Sequence, residues 1–122
     1  MAFQEFTAKG GKFNPQVTIN KGGGFGLSSG MHHRYGLDKF GSVKLYYDID
    51  TKQVGIKLCA GEDEGTFKLK KRPNEKGAYF GARSFLLSFN LDPLKVANRY
   101  IPEQKNDPNI GEIFTITLKD KA

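Results

Sequence analysis

Residues 15–58 read as two short strands, one helical turn and a hairpin, an order that constrains the fold more than any other stretch of the chain. Val17-Thr18-Ile19 and Phe25-Gly26-Leu27 read as two short strands joined through Lys21-Gly22-Gly23-Gly24. Ser28-Ser29 stands where a helix N-cap belongs, because a seryl oxygen accepts an orphan backbone N–H of a first turn. Met31 and Tyr35 are four apart and share one face of that turn. Gly36 ends it, since glycine enters the left-handed region without a Cβ clash. Val43, Leu45 and Tyr47 then alternate with Lys44 and Tyr46, and Val54, Ile56 and Leu58 with Gly55 and Lys57. This period of two marks two half-buried strands, joined by a turn over residues 48–53.

The C-terminal half repeats that order in outline. Tyr79-Phe80-Gly81-Ala82 resembles a strand, and residues 83–89 a short helix with Phe85 and Phe89 four apart. Asn90-Leu91-Asp92 mirrors Gly36-Leu37-Asp38, with Asn90 in the left-handed position. Leu94, Ala97 and Tyr100 are spaced by three and favour a helix over 94–100. Residues 113–118 alternate as a strand, with Phe114, Ile116 and Leu118 facing in and Thr115 and Thr117 facing out. The expected fold is α+β: mainly antiparallel β-sheet with two short helices, in two similar β-α-β-β halves. One domain over 1–122 is expected, with halves at about 15–60 and 77–122 and a basic connecting strand between them.

The order in residues 15–58 resembles that of AbrB-like transition-state regulators. The residues that carry the resemblance are Phe25-Gly26-Leu27, Met31 to Leu37, Gly41-Ser42-Val43-Lys44-Leu45 and Val54-Gly55-Ile56-Lys57-Leu58. Ser28 stands where that family usually has proline, Ser42 where it has aspartate, and one residue is inserted near Phe40. In the family, two chains exchange hairpins to build a DNA-binding dimer. The resemblance therefore implies a homodimeric transcription regulator with His32, His33 and Arg34 on a short helix beside the DNA. In architecture alone, the two halves are also similar to the whirly-like superfamily of single-stranded DNA-binding regulators. That second resemblance implies a basic sheet face tracking the backbone and exposed aromatics, Tyr46 or Tyr79, stacking on bases.

Charge points the same way. Nineteen Lys and Arg against thirteen Asp and Glu give a net charge of +6 and a pI near 9.4. Such a balance favours a polyanionic partner through counterion release, and the two resemblances imply DNA ahead of RNA. The densest basic stretch is Phe67-Lys68-Leu69-Lys70-Lys71-Arg72. As one strand it turns Lys68, Lys70 and Arg72 to a single face, about 7 Å apart, as a phosphate track. The competing reading is an edge strand armed with lysines against edge-to-edge aggregation. Lys21 joins the candidate nucleic-acid-binding residues, in what reads as a mobile glycine-rich hairpin loop. That loop matches neither phosphate-binding glycine pattern, because it joins two strands instead of opening a helix.

Other chemistry finds little support. His32 and His33 are adjacent and point about 100° apart on a helix, so they do not share one metal ion. No cofactor and no catalytic residue are expected, and Cys59 reads as a small buried hydrophobe at a strand end. One cysteine suits a reducing compartment, and the start MAFQEFTAKGG has no signal-peptide core. No run reaches the roughly 20 apolar residues of a membrane span, so the expected setting is cytoplasmic. The main expectation is a non-enzymatic DNA-binding protein. The alternative is a structural or protein-interaction module, such as a viral component.

Overall fold

Alternating apolar and polar residues build two five-stranded sheets whose apolar faces meet in one core. The computed structural model describes residues 15–61, 65–71 and 77–119. Sheet A carries β1 (Val17–Ile19), β2 (Gly24–Leu27), β6 (Lys70–Lys71), β7 (Ala78–Gly81) and β8 (Asn98–Tyr100), in the order β6-β7-β2-β1-β8. Sheet B carries β3 (Ser42–Asp48), β4 (Gln53–Cys59), β5 (Phe67–Lys68), β9 (Glu103–Asp107) and β10 (Gly111–Thr117), in the order β5-β3-β4-β10-β9. The strand pairs are antiparallel. Three short helices complete the α+β fold: α1 (Ser29–Tyr35), α2 (Arg83–Ser88) and α3 (Pro93–Val96). A 3₁₀ turn, Leu37–Lys39, follows α1.

Sheet A contributes Val17, Ile19, Phe25, Leu27 and Phe80 to the core, and sheet B contributes Val43, Val54, Ile56, Phe114 and Ile116. Phe25 and Phe80 pair directly across β2 and β7, with ring centroids 5.1 Å apart. Met31 of α1 and Leu86 of α2 enter the same core, and the Tyr35 ring meets Phe114 of sheet B edge-on at 4.5 Å. Removing either core phenyl ring would cost about 3–5 kcal/mol, through lost burial and the cavity left behind.

The two halves meet strand to strand in the middle of both sheets. β2 pairs with β7 in sheet A, and β4 pairs with β10 in sheet B. Strand pairing between the halves is thus satisfied within one chain. The outermost strands are short, two residues in β5 and β6 and three in β8, or polar throughout, as in the Glu103-Gln104-Lys105-Asn106-Asp107 of β9. Short and charged edges resist pairing with another chain.

The local signals of capping and left-handed turns are realised in the structure. Ser28 is the N-cap of α1, its Oγ accepting from Met31 N at 3.4 Å and from Gln16 N at 2.9 Å. Gly36 (φ 67°) and Asn90 (φ 59°) occupy the left-handed region. Two expectations are corrected by the structure. The expected basic strand is broken at Leu69: β5 belongs to sheet B and β6 to sheet A, and the buried Leu69 side chain anchors the switch. Residues 94–100 are not one helix. Asp92 caps α3 by accepting from Leu94 N at 3.0 Å, but the helix stops at Val96 and Asn98–Tyr100 become β8 on the edge of β1. Thr115 does face outward, paired with Gly55 on the face that carries Tyr46, yet it is buried there.

Candidate nucleic-acid interface

The outer face of sheet A assembles one cross-strand row from five strands. Lys70 pairs with Tyr79, Tyr79 with Gly26, Gly26 with Thr18, and Thr18 with Arg99. Directly paired residues in antiparallel strands share a face, and the core-side neighbours of Thr18, Gly26 and Tyr79 are apolar and buried. Four strand spacings of about 4.8 Å separate the Lys70 and Arg99 backbones by roughly 19 Å. Cations therefore stand at both ends of a row with an aromatic ring between them.

Tyr79 is 42% exposed, and the Lys70 ammonium lies 5.9 Å from its ring centroid. Around the ring, Gly24, Gly26 and Gly81 put no side chain on this face. A Cβ placed on Gly81 would meet no atom within 4 Å, so the backbone beside Tyr79 lies open to a flat ligand. None of the five strands of sheet A contains Asp or Glu. The strands of sheet B contain Asp48, Glu103, Asp107 and Glu112 alongside Lys44, Lys57, Lys68 and Lys105. The two sheets thus differ in electrostatic character: cations go unopposed along the strands of one and are balanced along those of the other.

Lys21 lies beyond this row, in the β1–β2 turn. Within that turn Asn20 Oδ1 accepts from Gly22 N at 3.0 Å and Gly24 N at 2.9 Å. Gly23 has φ 92°, and a Cβ there would fall 2.7 Å from Arg83 Cβ, so only glycine fits against α2. The exposed Lys21 is therefore held at the end of sheet A where Gly24 pairs with Gly81.

The remaining sequence candidates disperse. Lys68 lies opposite Ser42 in sheet B, so Lys68 and Lys70 belong to different faces instead of one track. Arg72 lies outside the described residues. Lys71, on the edge strand, donates from Nζ to Phe40 O at 2.5 Å. Tyr46 is on the outer face of sheet B, opposite Gly55. In helix α1 Met31 is buried, His32 half-buried and Arg34 exposed. His33 falls in the same helix, and none of these three stands in the Tyr79 row. Cys59 is half-buried at the end of β4 rather than fully enclosed.

Sequence reasoning missed Arg99, Thr18 and the glycine platform. Arg99 was assigned to a helix, although Asn98-Arg99-Tyr100 alternates as a strand does. Among the described residues no group of three His, Cys, Asp or Glu is placed to hold a metal ion, and no helix is long and apolar enough to cross a membrane. Compared with known protein families, curated proteins and solved structures, the chain returns no match.

Proposed function

We propose that the protein binds single-stranded nucleic acid, DNA ahead of RNA, on the outer face of sheet A and without catalysis. The observation that carries this reading is the row Lys70–Tyr79–Gly26–Thr18–Arg99 on a sheet whose strands lack acidic residues. Its ends supply charge for phosphates, and its centre supplies a ring beside bare backbone. Stacking needs an unpaired base with a free face, and every base offers one. Duplex readout instead needs an element that enters a groove about 12 Å wide, and this sheet face projects none. Tyr79→Ala should weaken binding to a thymidine oligonucleotide by about 1–3 kcal/mol, the usual worth of one base–aromatic stack. Tyr79→Phe should retain most of the affinity. Equal binding by Tyr79→Ala and the unaltered protein would overturn the reading.

A protein-interaction module is the rival reading, and it has its own observation. Leu87 and Leu94 are 51% and 61% exposed on α2 and α3, and Phe89, at the C-terminal end of α2, packs on Tyr47 with ring centroids 5.0 Å apart. Retention on a DNA column separates the two readings. Steep loss of retention with salt supports phosphate contacts, whereas weak and shallow retention supports the interaction module.

A further inference from the structure

The basic segment misread as one strand has a different role. Lys68 is the last residue of β5 in sheet B, and two residues later Lys70 stands opposite Tyr79 in sheet A. Leu69 between them is buried, and its N–H donates to Gly41 O at 2.9 Å. The exposed Lys68, Lys70 and Lys71 therefore form a cationic corner along the one edge where β5 and β6 join the sheets.

On the far side of that corner, sheet B offers a second surface. Residues alternate along β3, so Ser42, Lys44 and Tyr46 share the outer face with Lys68, which pairs with Ser42. Lys44 stands directly opposite Lys57, whose ammonium donates to Ile110 O at 2.8 Å, and Lys105 stands opposite Ile113. Like charges set opposite each other in a sheet repel, and an anion placed over them relieves the repulsion. Beside these lysines lies a groove of about 500 Å³. Tyr46 forms one wall, Lys105 and Pro108 the other, and Gly55, Ile113 and Thr115 the floor. A Cβ on Gly55 would come within 3.4 Å of Ile113 and 3.5 Å of Tyr46, so the bare backbone there is what keeps the floor low. The groove thus combines an aromatic wall and an uncharged floor that suit a base; Asp48 and Asp107 also line it, so phosphate contacts fall to Lys44, Lys57 and Lys68 beside it rather than to the groove itself.

We infer that a single-stranded polynucleotide wraps this edge: it runs from the Tyr79 row of sheet A over the Lys68–Lys71 corner into the Tyr46 groove of sheet B. This rests on the proposed function of sheet A and adds a second base-binding site to it. The path excludes a duplex, whose persistence length of about 50 nm forbids folding around an edge between sheets about 10 Å apart. It also separates short ligands from long ones. An oligonucleotide of about 5 residues is satisfied by sheet A alone, whereas one of about 15 reaches both faces.

The experiment compares thymidine oligonucleotides of these two lengths, with uridine oligonucleotides as a parallel arm that distinguishes DNA from RNA. Tyr46→Ala combined with Lys44→Gln and Lys57→Gln should weaken binding of the long oligonucleotide at least about fivefold and leave the short one unchanged. Tyr79→Ala should weaken both. Because Tyr46 is half-buried, Lys44→Gln with Lys57→Gln is measured alone as well, and should flatten the salt dependence of the long ligand only. Binding of both lengths with no effect of the sheet B variants would overturn the wrap while sparing the sheet A reading. Failure of both lengths to bind, or binding of both that Tyr79→Ala leaves unchanged, would overturn the sheet A reading and the wrap with it.

Discussion

Neutralising the cations of sheet A gives a quantitative test of how the face works. Lys70 and Arg99 stand at the two ends of the Tyr79 row, and Lys21 is held beyond it by the Asn20 turn. If each meets one phosphate, a single strand releases about 0.7 counterion per contact, and the three together contribute about two units to the slope of log affinity against log salt. Between 50 and 200 mM salt those contacts alone account for about a twentyfold fall in affinity. The triple variant Lys21→Gln, Lys70→Gln, Arg99→Gln should lose that component and flatten the slope by about two units. Folding should persist, because exposed charges contribute under about 1 kcal/mol each. Fluorescence anisotropy of a labelled thymidine oligonucleotide across a salt series measures the slope, and circular dichroism checks the fold. A folded triple variant with an unchanged slope would refute the assignment of phosphate contacts to this face.

Burial pushes the Tyr100 phenol up from its ordinary value, partly offset by the hydrogen bond from Lys119 N at 3.2 Å. The unfolded chain releases that proton near pH 10, so the folded state binds more protons above it and stability falls as pH rises past about 10. Tyr100→Phe should remove this alkaline loss in urea titrations, at a cost of about 1 kcal/mol at neutral pH from the lost bond to Val96 O. Gly77→Ala should destabilise the fold by about 1–3 kcal/mol, because its Cβ would sit 2.7 Å from the backbone oxygen of Leu27; an unchanged urea midpoint would show that β7 yields there. The protected sheet edges predict a mass of 13.6 kDa by light scattering, and twice that mass would restore the dimer that the AbrB-like resemblance implies.

Residues 15–58 were legible because their signals are local. The Ser28 cap, the Gly36 stop and the alternation in β3 and β4 each act within a few residues, and all were realised. The basic segment was not legible, because alternation is the same whether a strand continues or changes sheets. Only the buried anchoring of Leu69 against the Gly41 carbonyl decides between them. Over 94–100 the Asp92 cap and Pro93 favour a helical start, yet pairing of Asn98–Tyr100 with β1 wins after one turn. That pairing is long-range, and it is what carries Arg99 to the Tyr79 row. Lys70 and Tyr79 were both singled out, but their adjacency, and that of Tyr79 to three glycines, comes from the register of β6, β7 and β2.

Backbone amide shifts followed by NMR during titration with a thymidine oligonucleotide of about 10 residues test the central claim most directly. The amides of Thr18, Gly24, Gly26, Lys70, Tyr79, Gly81 and Arg99 should shift together and saturate at one stoichiometry. Those of Leu87 and Leu94, on α2 and α3, should stay in place. Shifts confined to α2 and α3, or none along the Tyr79 row at saturating oligonucleotide, would contradict the assignment of sheet A as the nucleic-acid-binding face.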